Sequence, residues 1–222
     1  MRTGGARLGG AAAVLAIYYW TLFAAPPALP PDAVEAQLQS DIQASISLFN
    51  SSRFADALAP TERIVEQSPG QAVHHTRLAM IYEKLDRPVD EARQWEAVME
   101  TSSTPIDACP MVAEAHRRSH RADLEVDALE RCAGLSPPNP DFYLFLGQAL
   151  LRAGRGTAAV SAFKKGLALA PSYPDLHLQI GIHEFGGGHK REARASFERF
   201  LALAPERRDE VAVWLARTAP PR

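Results

Sequence analysis

The 222-residue chain lacks an excess of either charge, because 24 basic and 26 acidic residues leave a formal net charge of −2. A polyanionic partner such as a nucleic acid is therefore not indicated. Two cysteines are too few for a small disulfide-rich scaffold. Strand-like alternation of apolar and polar residues is scarce, whereas 46% of the residues are hydrophobic. These absences favour an all-α fold with a sizeable apolar core.

Catalytic and cofactor signatures are also missing. The chain has no Ser-His-Asp or Cys-His-Asn order and no CxxCH haem motif, and the glycines of "GGGH" (186–189) lack the strand and Lys-Ser/Thr of a phosphate loop. His116 and His120 have the spacing of two metal ligands on a helix, but Arg117 and Arg118 between them would repel a cation. We therefore predict no enzyme, no cofactor and no metal site.

Charged residues are absent from residues 8–31, after Arg2 and Arg7. The apolar core of this run, residues 8–25, is at the short end of the length range for a membrane-spanning helix. A cleaved secretory signal is the alternative, but it needs small residues at positions −3 and −1 of the cut. Cuts after the alanines at 24, 25 and 28 place at −3 the large or rigid residues Leu22, Phe23 and Pro26. We favour the interpretation that residues 1–25 form an uncleaved signal anchor, which contacts the bilayer through residues 8–25.

The charges that flank this run predict its orientation. Arg2 and Arg7 precede it, and Asp32 and Glu35 are the first charges after it. Basic flanks stay in the cytoplasm. The remainder of a single-pass bacterial inner-membrane protein would then lie in the periplasm. Residues 26–31, "PPALPP", are predicted to form a stiff, extended spacer, within a proline-rich spacer region assigned to residues 26–37.

The rest of the chain repeats with a period of 34 residues. "SAFKKGLALAP" (161–171) returns as "ASFERFLALAP" (195–205), and the same step back from Pro205 finds proline at three of four further positions. Small residues recur in phase at Ser45, Ala79, Ala113, Gly147 and Gly181. Sixteen residues after each stands a larger one: Thr61, Trp95, Leu129, Phe163 and Phe197. This pairing predicts two helices that approach closely where a small side chain faces a large one.

The spacing resembles the tetratricopeptide repeat, a 34-residue helix–turn–helix unit. Units four and five match best, through the Leu/Ile-Gly pair, an alanine (Ala159, Ala193), a phenylalanine and the closing proline. Units two and three depart from the pattern, with Glu91 and Glu125 where alanine is usual. Glu125, together with Asp127, is expected on a solvated helix face. The resemblance implies an all-α solenoid of five repeats in residues 38–207, with boundaries 38–71, 72–105, 106–139, 140–173 and 174–207.

Residues 208–222 are predicted to form a capping helix and tail, because an open solenoid end exposes apolar surface. Val211, Val213, Trp214 and Leu215 would cover that end. The resemblance also implies a concave groove lined by the first helix of each unit. Its candidate partner-binding residues are Leu144, Gln148, Leu151, Leu178, Ile182 and Phe185. The alternative is that some of them pack against the terminal helix or the neighbouring unit.

Cys109 and Cys132 are predicted to form a disulfide within unit three. They are the fourth and twenty-seventh residues of the unit, and in an antiparallel hairpin the ordinal positions of facing residues have a nearly constant sum. The eighth and twenty-fourth positions, small and large, set that sum. An oxidising compartment would form the bond. Two buried free thiols are the alternative.

The function predicted from these features is that of a membrane-anchored periplasmic scaffold or adaptor. It would bind protein segments, including apolar ones, as a subunit of a multiprotein assembly. The lysine and asparagine clamp that grips acidic chaperone tails in some cytosolic relatives is absent from the fifth and ninth positions. The alternative is an assembly chaperone that captures client peptides, as the repeat domains of cytochrome c maturation do. A regulatory domain for a catalytic partner is a weaker third possibility.

Overall fold

The structure, a computed structural model, describes residues 30–135 and 138–219. These residues form eleven α-helices and two short 3-10 helices, with no strand among them. The helices are α1 (Pro31–Asn50), α2 (Phe54–Gln67), α3 (Ala72–Lys84), α4 (Pro88–Thr101), α5 (Cys109–Arg118), α6 (Ala122–Ala133), α7 (Pro140–Arg152), α8 (Gly156–Leu169), α9 (Pro174–Gly186), α10 (Lys190–Leu203) and α11 (Arg208–Arg217).

The chain divides into two compact units, Met1–Ser40 and Asp41–Arg222. The described part of the first unit is the beginning of α1, where the Gln39 side-chain amide donates to Glu35 at 2.9 Å. Helix α1 begins at Pro31, so residues 31–37 of the predicted spacer region are helical. Proline suits the first helical position, where its fixed φ is helical and its missing N–H leaves no partner unsatisfied.

The predicted anchor, residues 1–25, lies outside the described residues. Within 30–135 and 138–219, no helix combines the length and the apolar character needed to cross a membrane.

The second unit is a stack of helices in which each helix from α2 to α11 packs against the next along the chain. Contacts are most extensive within the pairs α3–α4, α7–α8 and α9–α10. Extensive contacts between helices that are neighbours in the sequence are typical of a solenoid. The predicted all-α repeat solenoid is therefore confirmed.

The turn inside each pair repeats with the period of the sequence. A residue with positive φ stands at Ser52, Asp86, His120, Gly154 and Gly188, each 34 residues after the one before, with φ between 52° and 82°. Only two of the five are glycine, the residue that adopts this left-handed conformation without steric cost. The backbone therefore keeps the period even where the residue type does not indicate it.

The predicted contact between a small and a large residue joins the two helices of unit four and the two helices of unit five. A Cβ atom on Gly147 would overlap the ring of Phe163, and one on Gly181 would lie 2.7 Å from Cε1 of Phe197. Real Cβ contacts are longer, so each phenylalanine packs directly on backbone. Unit one makes the same contact with a hydrogen bond, 2.7 Å between the buried hydroxyls of Ser45 and Thr61.

Candidate functional site

The predicted groove residues do not form one open surface. Leu144 and Leu178 are buried, with 6% and 8% of their surfaces exposed, and belong to core clusters. Leu151 is half-buried and packs against the same cluster as Leu144. Ile182 and Phe185 pack against the cluster at the C-terminal end. Gln148 lines an open cleft, which is described below.

The terminal helix accounts for the position of Phe185. Val211 of α11 is fully buried, and Trp214 stacks on Phe197 with 5.2 Å between ring centroids. The Arg217 guanidinium lies over the Phe185 ring, 4.9 Å from its centroid. This end of the expected groove therefore packs against the capping helix, as the alternative in the sequence analysis allows. Val213, which was also expected to cover the end, is exposed.

An open cleft runs instead across α4, α5, α6 and α7, and is called the central cleft here. It consists of two adjoining cavities of about 490 and 350 Å³ that share Pro110 and Glu114. Trp95 and Met111 line the first cavity, and Phe145 and Gln148 line the second. The Phe145 side chain is 41% exposed and lines the second cavity.

Two buried carboxylates line the central cleft, and an arginine from the following unit binds each of them. Glu91 is 4% exposed and accepts a hydrogen bond from Arg118 Nη1 at 2.7 Å. Glu125 is 3% exposed and accepts from Nη2 of Arg152, whose Nε lies 3.3 Å from the other carboxylate oxygen. A buried charge without a partner destabilises the folded state, so each arginine stabilises the fold by pairing with its carboxylate.

Burial affects the protonation of the ion pair between Glu91 and Arg118. Burial raises the pKa of the Glu91 carboxyl above its ordinary value, and the charge of Arg118 opposes this rise. Hydrogen bonding to Asp86 raises the pKa of Arg118, which therefore stays charged between the two carboxylates. Polar anchoring groups and exposed apolar side chains thus stand side by side in the central cleft.

The expectation that Glu125 lies on a solvated face is wrong, although Asp127 is exposed as expected. Glu125 occupies the position held by the fully buried Ala159 and Ala193 in later units, so its carboxylate faces the neighbouring unit. The 27-residue step from Glu91 to Arg118, repeated from Glu125 to Arg152, is the sequence signal that indicates this pairing.

His116 and His120 do not meet. His116 is buried and its Nε2 lies 3.0 Å from Glu96 Oε1, whereas His120 occupies the positive-φ turn. Among the described residues there is no group of three side chains able to hold a metal ion.

Cys109 and Cys132 form a disulfide with 5.9 Å between their Cα atoms, and both residues are fully buried. The bond joins the first turn of α5 to the last turn of α6. Pro110 and Met111, which line the central cleft, directly follow Cys109. The disulfide therefore holds the segment that forms one wall of the cleft.

Comparison with known proteins identifies the repeat. The family model described as "Tetratricopeptide repeat" matches residues 112–174, which include α7 and α8. No curated protein sequence matches the chain significantly.

Solved structures have the same fold. A crystal structure of MamA aligns with a TM-score of 0.60 and 19% identity over 78% of this chain and 94% of that one. YrrB, described as a TPR protein with an unusual peptide-binding site, aligns with a TM-score of 0.56 and 16% identity over 72% and 83%. TTC0263, a thermophilic TPR protein of Thermus thermophilus, aligns with a TM-score of 0.50 and 19% identity over 82% and 98%. At these identities the likeness concerns the fold.

Proposed function

Because residues 112–174 match the tetratricopeptide-repeat family and the fold is that of solved TPR proteins, we propose that the chain is a scaffold or adaptor that binds a segment of another protein in the central cleft. The observation that carries the proposal is the exposure of Met111 and Phe145 beside buried, paired charges. An apolar side chain of the partner would bury these two residues, and polar groups beside it would meet Glu114 or Gln148. YrrB, with its peptide-binding site, is a precedent within the fold.

The protein acts by binding and has no catalytic role in this proposal. A scaffold and an assembly chaperone would use the same cleft but differ in the state of the partner. A scaffold stays with folded partners in a fixed ratio, whereas a chaperone captures isolated client segments and releases them. The exposed side chains of Met111 and Phe145 suit both a scaffold and a chaperone. Whether the bound partner is folded therefore distinguishes the two functions.

Purification of the full chain from its native host in mild detergent, with quantitative mass spectrometry, tests this function. We expect a folded partner at constant stoichiometry, and its loss on Phe145→Glu. The control Val213→Glu alters a still more exposed apolar residue, on α11, and should retain the partner. Release of the partner by a short client peptide would favour the chaperone; equal recovery with both variants would contradict a role for the cleft.

Membrane anchoring and a periplasmic location are part of the same proposal. The uncharged run at residues 8–25 and the basic residues before it support an anchor with this orientation. The disulfide between Cys109 and Cys132 supports an oxidising compartment. Alkaline carbonate extraction should leave the full-length protein in the membrane pellet. A soluble mature form that begins near residue 25 would refute the anchor.

A further inference from the structure

A second cleft, larger than either cavity of the central cleft, lies between α8 and the α9–α10 turn. Its volume is about 690 Å³, and it shares no lining residue with the central cleft. We call it the basic cleft. The scaffold role proposed above does not depend on it.

One wall of the basic cleft is the face of α8 that points away from the core. The lining residues on α8 extend from Thr157 to Ala168 at helical spacing. Ala159 and Phe163, on the opposite face, are fully buried. Eleven steps of 1.5 Å give this wall a length of about 17 Å, the span of about five residues of extended peptide.

The other wall is held close to α8. The His183 ring of α9 lies over the first residue of α8, where a Cβ atom on Gly156 would be 2.6 Å from the ring carbon Cε1. A side chain at position 156 would therefore displace the imidazole. His189, at the start of α10, also lines this side. The width of the cleft is therefore set by packing of the folded chain.

The charge of the basic cleft is predominantly positive. Lys164 and Lys165 are exposed on α8, and neither forms an ion pair within the described part of the chain. Glu184 is the one carboxylate among the lining residues, and it already accepts a hydrogen bond from Ser196 at 2.9 Å. Two ammonium groups thus share the cleft with a single carboxylate, and Thr157 and Ser161 add hydroxyl donors on the same wall.

From this arrangement we propose that the basic cleft docks an acidic peptide segment of a partner protein. The two ammonium groups would pair with two carboxylates of an extended segment, and Val160 and Ala168 would contact small side chains at either side. The chain would then hold two protein segments at separate sites, which is how one subunit can connect two partners.

Fluorescence anisotropy of the full chain in detergent with a labelled hexaglutamate peptide tests the proposal. Lys164→Glu combined with Lys165→Glu should weaken binding by at least about tenfold, because two attractive contacts become repulsive. The control Arg93→Glu with Arg208→Glu makes the same change in net charge at two exposed residues outside the cleft and should change the affinity by less than about twofold.

A footprinting measurement on the unaltered protein makes the test independent of the variants. Hexaglutamate should protect Lys164 and Lys165 from acetylation but leave Lys84 reactive. Equal weakening by both double variants would assign the binding to net charge and overturn the proposal. Failure to bind hexaglutamate, or protection only by a single-stranded oligonucleotide, would overturn it as well. None of these outcomes bears on Phe145 and the central cleft, so the two proposals fail separately.

Discussion

Arg152 at the end of α7 binds the buried carboxylate of Glu125 in α6, and Arg118 binds Glu91 in the same way one unit earlier. Both pairs connect residues 27 positions apart and both cross from one unit to the next. They occur in the two units where glutamate replaces the usual alanine. In both units an ion pair thus takes the place of the apolar contact that alanine makes between units. The two ion pairs also contribute polar groups to the central cleft.

This relationship predicts that the arginine matters more for stability than the glutamate. Arg152→Met should lower the free energy of unfolding by about 1–3 kcal/mol, because it leaves Glu125 buried without a partner. Glu125→Ala should cost less, since alanine fills this position in units four and five. Chemical denaturation of both variants and of the double variant measures the effects. The double variant should be more stable than Arg152→Met alone, and the reverse order would contradict the account.

The disulfide should stabilise the full chain by restricting the unfolded state. Cys109 and Cys132 are 23 residues apart, and a closed loop of this length corresponds to about 3 kcal/mol in the loop-entropy model. Replacing both cysteines by alanine should lower stability by about that amount in denaturant titration. Non-reducing peptide mapping of protein exported by its own leader should recover the linked peptides. Two freely alkylated thiols in that material would disprove the bond and weaken the periplasmic proposal.

The raised pKa of Glu91 predicts an unusual dependence on pH. An acid whose pKa is higher in the folded state binds more protons there, so stability falls as pH rises above the ordinary glutamate pKa of about 4.3 and toward the raised value. Glu91→Gln removes this titration. Its stability relative to the parent chain should therefore increase with pH across this window. A stability difference that stays constant across this window would contradict the account.

The turns of units one and three should accept glycine with a gain in stability. Ser52 and His120 adopt φ values of 58° and 56°, which strain a side-chain-bearing residue. His120→Gly should raise the free energy of unfolding by up to about 1 kcal/mol, because relief of strain exceeds the added entropy of the unfolded chain. The same substitution at His177, a helical residue of α9, should destabilise the protein. Thermal unfolding of both variants provides the comparison.

The sequence predicts much of this architecture because its period is a local property. The spacing of Pro171 and Pro205 and the glycine–phenylalanine pairs predict the helix pairs and their number. The sequence does not by itself predict the positive φ of Ser52, Asp86 and His120, because these residue types adopt a left-handed conformation less readily than the glycines at 154 and 188.

The candidate site is harder to predict because it depends on contacts between distant residues. The periodic pattern assigns Phe185 to the groove, but the docking of α11 places it under Arg217. Glu125 looks like a surface residue until Arg152 is seen beside it. Phe145 has no special place in the pattern and is found only from its exposure at the cleft. The 34-residue period of the sequence thus identifies the helices. Contacts between distant residues determine which helix faces remain exposed to solvent.

Site-specific photocrosslinking in the native host tests the central claim most directly. A photoreactive amino acid would replace Met111, Phe145 or Val213 in turn, all three of which are exposed apolar residues. Binding in the central cleft predicts that Met111 and Phe145 crosslink to the same partner segment, mapped by mass spectrometry, while Val213 gives no such product. Crosslinks of equal yield at all three positions, or none at the two cleft positions, would contradict the account.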